Sequence, residues 1–193
     1  GDGAGSNLAQ AGLPGEILVW HDILYEGPRG PGWPDEDTLR ARALFLERAT
    51  AGGLDRARVL AVLRRQYQVL ADAASRPLVL WFDACLFDQS MLAHVLACLY
   101  GRGILTADLL CVEAFPGIEP FHGLGQLAPA QLASLYETRR PVTEAQFRFA
   151  VRADAAFAGQ DPARLAELSE LAGAPLPWIP AAAARLLQER PDP

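Results

Sequence analysis

Three short runs of apolar residues, none of which alternates with polar residues, constrain the fold of this chain most strongly. The runs span residues 16–20, 78–82 and 108–112. A strand with one face in water alternates apolar and polar residues, whereas a continuous apolar run is typical of a strand buried on both faces of a parallel sheet. Apolar residues between these runs recur at helical spacing. The chain therefore predicts strands that alternate with helices.

This alternation predicts an α/β fold with a mostly parallel sheet and helices on both faces, a Rossmann-like arrangement. After Pro129 the chain shows no strand-like run and predicts only helices, near residues 130–137, 143–158, 162–171 and 180–188. A chain of 193 residues suits one domain with a small appendage. We expect an α/β domain over residues 1–128 and a helical cap or subdomain over residues 129–193.

The chain opens on the glycine-rich segment GDGAGS, which predicts a loop over residues 1–6 and a short helix over residues 7–11. Glycine-rich loops before helices commonly follow a strand, so we expect the first strand of the sheet to precede residue 1, outside this chain. Backbone amides of Gly1, Gly3 and Ser6 would then suit a phosphate at the helix N-terminus. Asp2 would repel that phosphate unless a metal ion intervened.

Composition excludes several classes of protein. All 17 Lys and Arg positions are Arg, so the chain has neither the lysine of a P-loop nor a lysine for Schiff-base chemistry. A net charge of −6 argues against general nucleic-acid binding, for which a basic surface is usual. No apolar run approaches the roughly 20 residues that a membrane-spanning helix needs.

The cysteine pattern bears on location. Cys85, Cys98 and Cys111 are odd in number, lie in apolar runs and match neither a zinc site nor a redox pair. We predict buried free thiols in a reducing compartment. Since no secretory signal is visible, the expected location is the cytoplasm.

Two blocks of the sequence resemble a known family. The first comprises Gly1-Asp2 and then residues 13–20 and 22–28, LPGEILVW and DILYEGP; the second comprises residues 80–83 and 86–89, LWFD and LFDQ. In this order they resemble the bacterial domain-of-unknown-function family 1835, over roughly residues 1–113. The resemblance implies a strand before the opening motif and a site near both blocks. The family usually has Gly-Asp-Ser where this chain has Gly3, and polar or acidic residues where it has Ala84 and Cys85.

Candidate site residues follow the predicted strands. Ligands of open α/β sheets bind outside the carboxyl ends of the strands, and this rule collects the candidate catalytic residues Asp2, His21, Asp22, Asp83 and Asp88. Oxygen ligands from Asp2, Asp22 and Asp83 would hold Mg²⁺ or Mn²⁺. Further candidate ligand-binding residues are Gly1, Gly3, Ser6, Glu26, Arg29 and Gln89.

Structural roles are the alternative for most of these residues. Asp83 or Asp88 would equally cap the following helix, and Asp22 and Glu26 would order the loop after them. His21 and His94 both suit a structural role. The loop over residues 25–34, with three Gly and three Pro, is either a lid that brings Arg29 to a ligand or a surface crossing.

Two functions stay open at this point. The first is a metal-dependent hydrolase or transferase that acts on a phosphate-containing small molecule. The second is a non-catalytic module that senses a ligand or binds a protein partner. The departures from the family pattern at Gly3, Ala84 and Cys85 favour the second.

Overall fold

A computed structural model describes residues 1–189 as a mainly helical α/β protein. In chain order, the elements are α1 (Asp2–Ala9), α2 (Glu36–Ala49), α3 (Arg56–Asp72), β1 (Val79–Asp83), α4 (Leu86–Gly101), β2 (Asp108–Val112), α5 (Pro129–Leu135), β3 (Arg140–Pro141), α6 (Glu144–Gly159), α7 (Pro162–Ser169) and α8 (Ile179–Glu189). Residues 190–193, the last four of the predicted helical part, lie outside the described residues.

The sheet has three strands in the order β1-β2-β3. β1 and β2 are parallel, with Leu80 opposite Leu109 and Phe82 opposite Cys111. The parallel pairing of residues 78–82 and 108–112 is therefore confirmed. β3 is antiparallel to β2 and only two residues long, and its proline suits an edge strand. One parallel pair in three strands does not establish a Rossmann-like, mostly parallel sheet.

Helices cover both faces of this sheet. The evidence is that alternate residues of the strands belong to two separate apolar clusters. Leu80 and Phe82 join the larger cluster, to which α2, α3, α4, α6, α7 and α8 contribute. Leu110 and Val112 join the smaller cluster, with residues of α1 and α5. Period-two alternation along each strand explains this division.

The centre of the larger cluster is α4. Every residue of α4 from Asp88 to Leu99 is buried, as expected of a helix that is packed on all sides. Because α6 and α8, from the C-terminal part, share this cluster with α2 and α3, the core is continuous across residue 128. The division into two domains at this residue stays a prediction.

The prediction of a strand over residues 16–20 is wrong. In the described chain this segment forms no ladder with any strand, and Ile17 and Leu18 are each 42% exposed. A strand needs a neighbour for its backbone groups, and an apolar run does not by itself specify one. The strand predicted before residue 1 lies outside the sequence and stays a prediction.

The predicted loop over residues 1–6 is also wrong, because α1 already begins at Asp2 with Gly1 as its N-cap. Glycine disfavours a helix, but here it permits close packing. A Cβ at Gly5 would lie 2.2 Å from Cγ2 of Val19, and a Cβ at Gly3 would meet Gly125. Tertiary contacts therefore outweigh the local propensity.

Among residues 1–189, no helix combines the length and the apolar character needed to cross a membrane.

Candidate functional site

Three potential metal ligands converge where β1 ends and α4 begins. Asp83 is the last residue of β1, Cys85 caps α4, and Asp88 lies in the first turn of α4. One ligand atom of each residue lies within 4.8 Å of the other two. Asp83 and Asp88 therefore lie together at the carboxyl end of β1, as expected of residues that follow a predicted strand.

Hydrogen bonds within this turn fix the two carboxylates. Asp83 donates its backbone N–H to Oδ2 of Asp88 at 2.7 Å, and Cys85 donates its backbone N–H to Oδ1 of Asp83 at 3.1 Å. Burial and then the charge of Asp83 raise the pKa of the Asp88 carboxyl to about 6. Asp88 therefore exchanges its proton close to neutral pH.

The sulfur atoms around the turn are protonated at neutral pH. Partial removal from solvent raises the pKa of the Cys85 and Cys111 thiols to about 12 each, and the hydrogen bond with Asp83 contributes at Cys85. The predicted burial is wrong for Cys85, which is exposed, whereas Cys98 is buried and Cys111 is half-buried; all three are free thiols.

Gln89 stabilises the turn between β1 and α4 through its side-chain amide. Its side-chain amide is buried and donates to the backbone carbonyl of Asp83 at 2.6 Å and to Sγ of Cys111 at 3.3 Å. Gln89 therefore positions the end of β1, and the structure gives it no exposed group with which to bind a ligand.

A loop from the other side of the sheet closes over Asp83. Gly123 has a φ of +134°, and a Cβ there would lie 2.3 Å from Oδ2 of Asp83. Two residues later, Gly125 packs against Gly3 and the backbone of Ala4 in α1. The first turn of α1, the loop at residues 123–125 and Asp83 therefore form one contiguous surface.

A histidine–aspartate pair extends this surface. Nε2 of His21 lies 2.7 Å from Oδ1 of Asp2, and both side chains are largely exposed. The hydrogen bond from His21 lowers the pKa of the Asp2 carboxyl. With an ionised Asp2 and a neutral imidazole, this bond requires the proton on Nε2 and leaves Nδ1 as the proton acceptor. The backbone N–H of His21 is held independently, by Oε1 of Gln66 at 2.6 Å.

Asp22 lies in the core rather than in the site. Its side chain is 2% exposed and pairs with the guanidinium of Arg42, which also donates to the carbonyl of Ile23 at 2.7 Å and to that of Glu26. The grouping of metal ligands found among the described residues contains neither Asp2 nor Asp22. The expected three-aspartate metal site of Asp2, Asp22 and Asp83 is therefore not formed.

Arg29 is likewise buried, which contradicts its predicted contact with a ligand. Its side chain is 3% exposed, and Nη1 donates to Oδ1 of Asp154 at 2.7 Å while Nε donates to the carbonyl of Leu24 at 2.6 Å. Gly32 donates its N–H to Oδ2 of Asp154 at 2.6 Å. The loop at residues 25–34 is therefore fastened to α6, as expected of the surface crossing rather than of a lid.

His94 completes this buried network and has the structural role predicted for it. Its Nδ1 lies 3.1 Å from Oδ1 of Asp154, and its Nε2 lies 2.7 Å from the hydroxyl of Tyr67. Burial would raise the pKa of Asp154, but the hydrogen bond and charge of His94 and the charge of Arg29 outweigh it and lower that pKa. Burial raises the pKa of Tyr67.

The remaining candidates stay at the surface. Gly1, Gly3 and Ser6 lie in or beside the first turns of α1 and not in a separate phosphate loop, and the Glu26 side chain is exposed. Two cavities, of about 310 and 200 Å³, are lined by other residues.

Sequence reasoning missed Gly123, Gln66 and Asp154. A single glycine in a Gly- and Pro-rich loop carries no sign that it faces an aspartate 40 positions earlier. Asp154 in the middle of an apolar helix was the one available signal, because a buried acid normally has a partner.

The donor set at the end of β1 fits a divalent cation. Two donor atoms bound to one ion at about 2.1 Å lie at most roughly 4.2 Å apart, so that Asp83, Cys85 and Asp88, whose ligand atoms lie within 4.8 Å of one another, would close around an ion by a small movement of their side chains. The two carboxylates suit Mg²⁺ or Mn²⁺, whereas the softer sulfur of Cys85 suits Zn²⁺.

Comparison of the chain with protein-family models, with curated proteins and with solved structures finds no match. The resemblance to the domain-of-unknown-function family 1835 stays a prediction.

Proposed function

We propose that the protein is a metal-dependent hydrolase or transferase that acts on a phosphate-containing small molecule at the carboxyl end of β1. The observation that carries this proposal is the convergence of Asp83, Cys85 and Asp88 within 4.8 Å. Asp83 and Asp88 would hold Mg²⁺ or Mn²⁺, which would supply the positive charge needed to bind a phosphate at this acidic surface.

His21 serves as the general base in this proposal. Asp2 holds the imidazole by its Nε2 at 2.7 Å, so that Nδ1 takes a proton from the attacking water or alcohol. The oxygen of this nucleophile bonds to phosphorus, the bond from phosphorus to the leaving group breaks, and the leaving group departs with the electron pair. Asp2 stabilises the imidazolium that results.

The exposed His21–Asp2 pair favours an enzyme over a non-catalytic ligand sensor. A sensor needs only the ion and a complementary surface, whereas a histidine oriented by a carboxylate supplies proton transfer. A sensor at the same site would bind the same ion and phosphate without turnover, and this difference separates the two functions.

A panel of phosphomonoesters and nucleotides incubated with Mn²⁺ and the protein tests the proposal, with release of inorganic phosphate or transfer to glycerol as the readout. We expect turnover by the unmodified chain and a loss of about 100-fold or more in His21→Ala. We expect His21→Ala to fold, because Gln66 binds the backbone rather than the imidazole of His21. His122→Ala, which alters a loop histidine outside the pair, is the matched control.

Binding of Mn²⁺ and a phosphate ester without turnover would favour the sensor. Turnover that survives in His21→Ala would contradict the general-base role, and the lack of any Mn²⁺ binding would contradict both functions. Cys85→Ser identifies the preferred ion: a selective loss of Zn²⁺ affinity would assign the sulfur as a ligand.

A further inference from the structure

We propose that a second site, on the outer face of α6, binds a small carboxylate with an apolar body. The site is the cavity of about 310 Å³ between α6 and the α7–α8 connection, here called the α6 cavity. It shares no lining residue with the end of β1, and it is independent of the proposed reaction. Its lining residues are Ala145, Arg148, Phe149, Arg152 and residues 171–175.

Helical spacing builds one wall of the α6 cavity. Ala145, Arg148, Phe149 and Arg152 occur at intervals of three and four residues and therefore share one face of α6. The opposite wall is the segment from Leu171 to Pro175. Gln146 ties this segment to α6 by donating to the carbonyl of Pro175 at 3.2 Å, so that the two walls are held together without a ligand.

The charge of the cavity is positive and only partly compensated. Arg148 pairs with Glu144 at 2.6 Å, outside the lining. Arg152 forms no ion pair or hydrogen bond with any residue in the described range 1–189. Within residues 1–189 no acidic side chain lines the cavity, although the chain as a whole has a net charge of −6. An anion is therefore the complementary ligand.

The shape and the remaining lining define the rest of the ligand. Leu171 and Pro175, with the small exposed part of Phe149, supply an apolar surface next to the two guanidinium groups. A volume of about 310 Å³ has room for a compact organic acid. A planar carboxylate matches the two parallel N–H groups of Arg152, and an aromatic ring or branched chain covers the apolar wall.

Titration with benzoate, followed by ligand-observed NMR, tests this site. We expect saturable binding with a Kd of the order of 1 mM and about tenfold weaker binding to Arg152→Gln. Arg152 is exposed and unpaired within the described chain, so that this variant should fold. Arg164→Gln, which removes an exposed arginine of α7, is the matched control and should leave the affinity unchanged.

Three results would overturn the proposal. Equal binding of benzamide, the uncharged analogue, would exclude recognition of the carboxylate. Equal binding of inorganic phosphate would show an unspecific anion site without a role for the apolar wall. Absence of saturation, or an unchanged affinity in Arg152→Gln, would exclude the α6 cavity itself. Asp83→Asn should leave benzoate binding intact, so that failure of the proposed reaction and failure of this site are distinguishable.

Discussion

The carboxylate of Asp88 accepts the backbone N–H of Asp83 at 2.7 Å, across the turn that joins β1 to α4. This bond holds two acidic side chains beside each other at the end of a buried strand. Burial is the main cause of the raised pKa of the Asp88 carboxyl, and the neighbouring charge of Asp83 adds to it, because like charges that are held together resist simultaneous ionisation; the backbone hydrogen bond itself acts in the opposite direction.

The first prediction concerns the stability of the metal-free protein. Because the pKa of Asp88 rises from 3.8 to about 6 on folding, the folded state binds its proton more tightly. The resulting stability is present below pH 4 and is lost as the pH rises through 6. Asp88→Asn, which keeps an acceptor for the Asp83 N–H, should therefore be more stable than the unmodified chain at pH 7.5, by up to about 3 kcal/mol.

Urea unfolding between pH 4 and pH 7.5, with EDTA present, measures this difference. The advantage of Asp88→Asn should shrink towards acid pH. An advantage that is constant with pH, or a variant that is less stable at pH 7.5, would contradict the raised pKa of Asp88.

The second prediction separates scaffold from lid at residues 25–34. Arg29→Ala leaves the buried Asp154 carboxylate without its nearer ion-pair partner, with only His94 beside it, and such losses cost about 3–5 kcal/mol. Thermal unfolding should therefore show a marked fall in stability, while Mn²⁺ affinity of the remaining folded protein is unchanged. Arg64→Ala, which breaks an exposed pair with Glu36, is the control and should change stability little. Weaker Mn²⁺ binding at unchanged stability would restore the lid interpretation.

Much of the fold follows from local patterns in the sequence. The apolar runs at residues 78–82 and 108–112 form the parallel strands, and helical spacing correctly predicts α2, α3, α4 and α6. The run at residues 16–20 has the same local character but forms no strand. The difference lies in strand pairing, which depends on residues far away in the sequence.

The third prediction concerns the close approach of Gly123 to Asp83. Gly123→Ala puts a Cβ 2.3 Å from Oδ2 of Asp83 and also strains a φ of +134°. We expect displacement of the Asp83 carboxylate and at least tenfold weaker Mn²⁺ binding, measured by calorimetry. Gly117→Ala, with a φ of +80° and open space around the new Cβ, is the control for backbone strain. Equal Mn²⁺ affinity in the two variants would show that the contact with Asp83 has no role.

The fourth prediction tests the packing of α1 against residues 16–20. Gly5→Ala places a Cβ 2.2 Å from Cγ2 of Val19, so that it should destabilise the protein by about 1–3 kcal/mol. Val19→Ala removes the clashing methyl groups. In urea unfolding, the double variant should lose less stability than the sum of the two single variants. Simple additivity would mean that the two residues do not touch.

The site was less predictable than the fold. Asp83 and Asp88 were correctly placed at one strand end, because strand direction fixes that edge. Asp22 and Arg29 are charged residues of the same loop region, but both side chains form buried ion pairs. Asp22 pairs with Arg42, and Arg29 pairs with Asp154. These partners lie 20 and 125 residues away in the sequence, so the residues next to Asp22 and Arg29 do not reveal them.

Calorimetric titration of the metal-free chain with Mn²⁺ at pH 7.5 tests directly whether the end of β1 binds a metal ion. We expect one binding site, which is lost or weakened at least tenfold in both Asp83→Asn and Asp88→Asn. Glu113→Gln alters the acid that follows β2 and binds Trp178; it should bind Mn²⁺ as the unmodified chain does. No binding by the unmodified chain, or equal affinity in all four proteins, would contradict the assignment of a metal site to the end of β1.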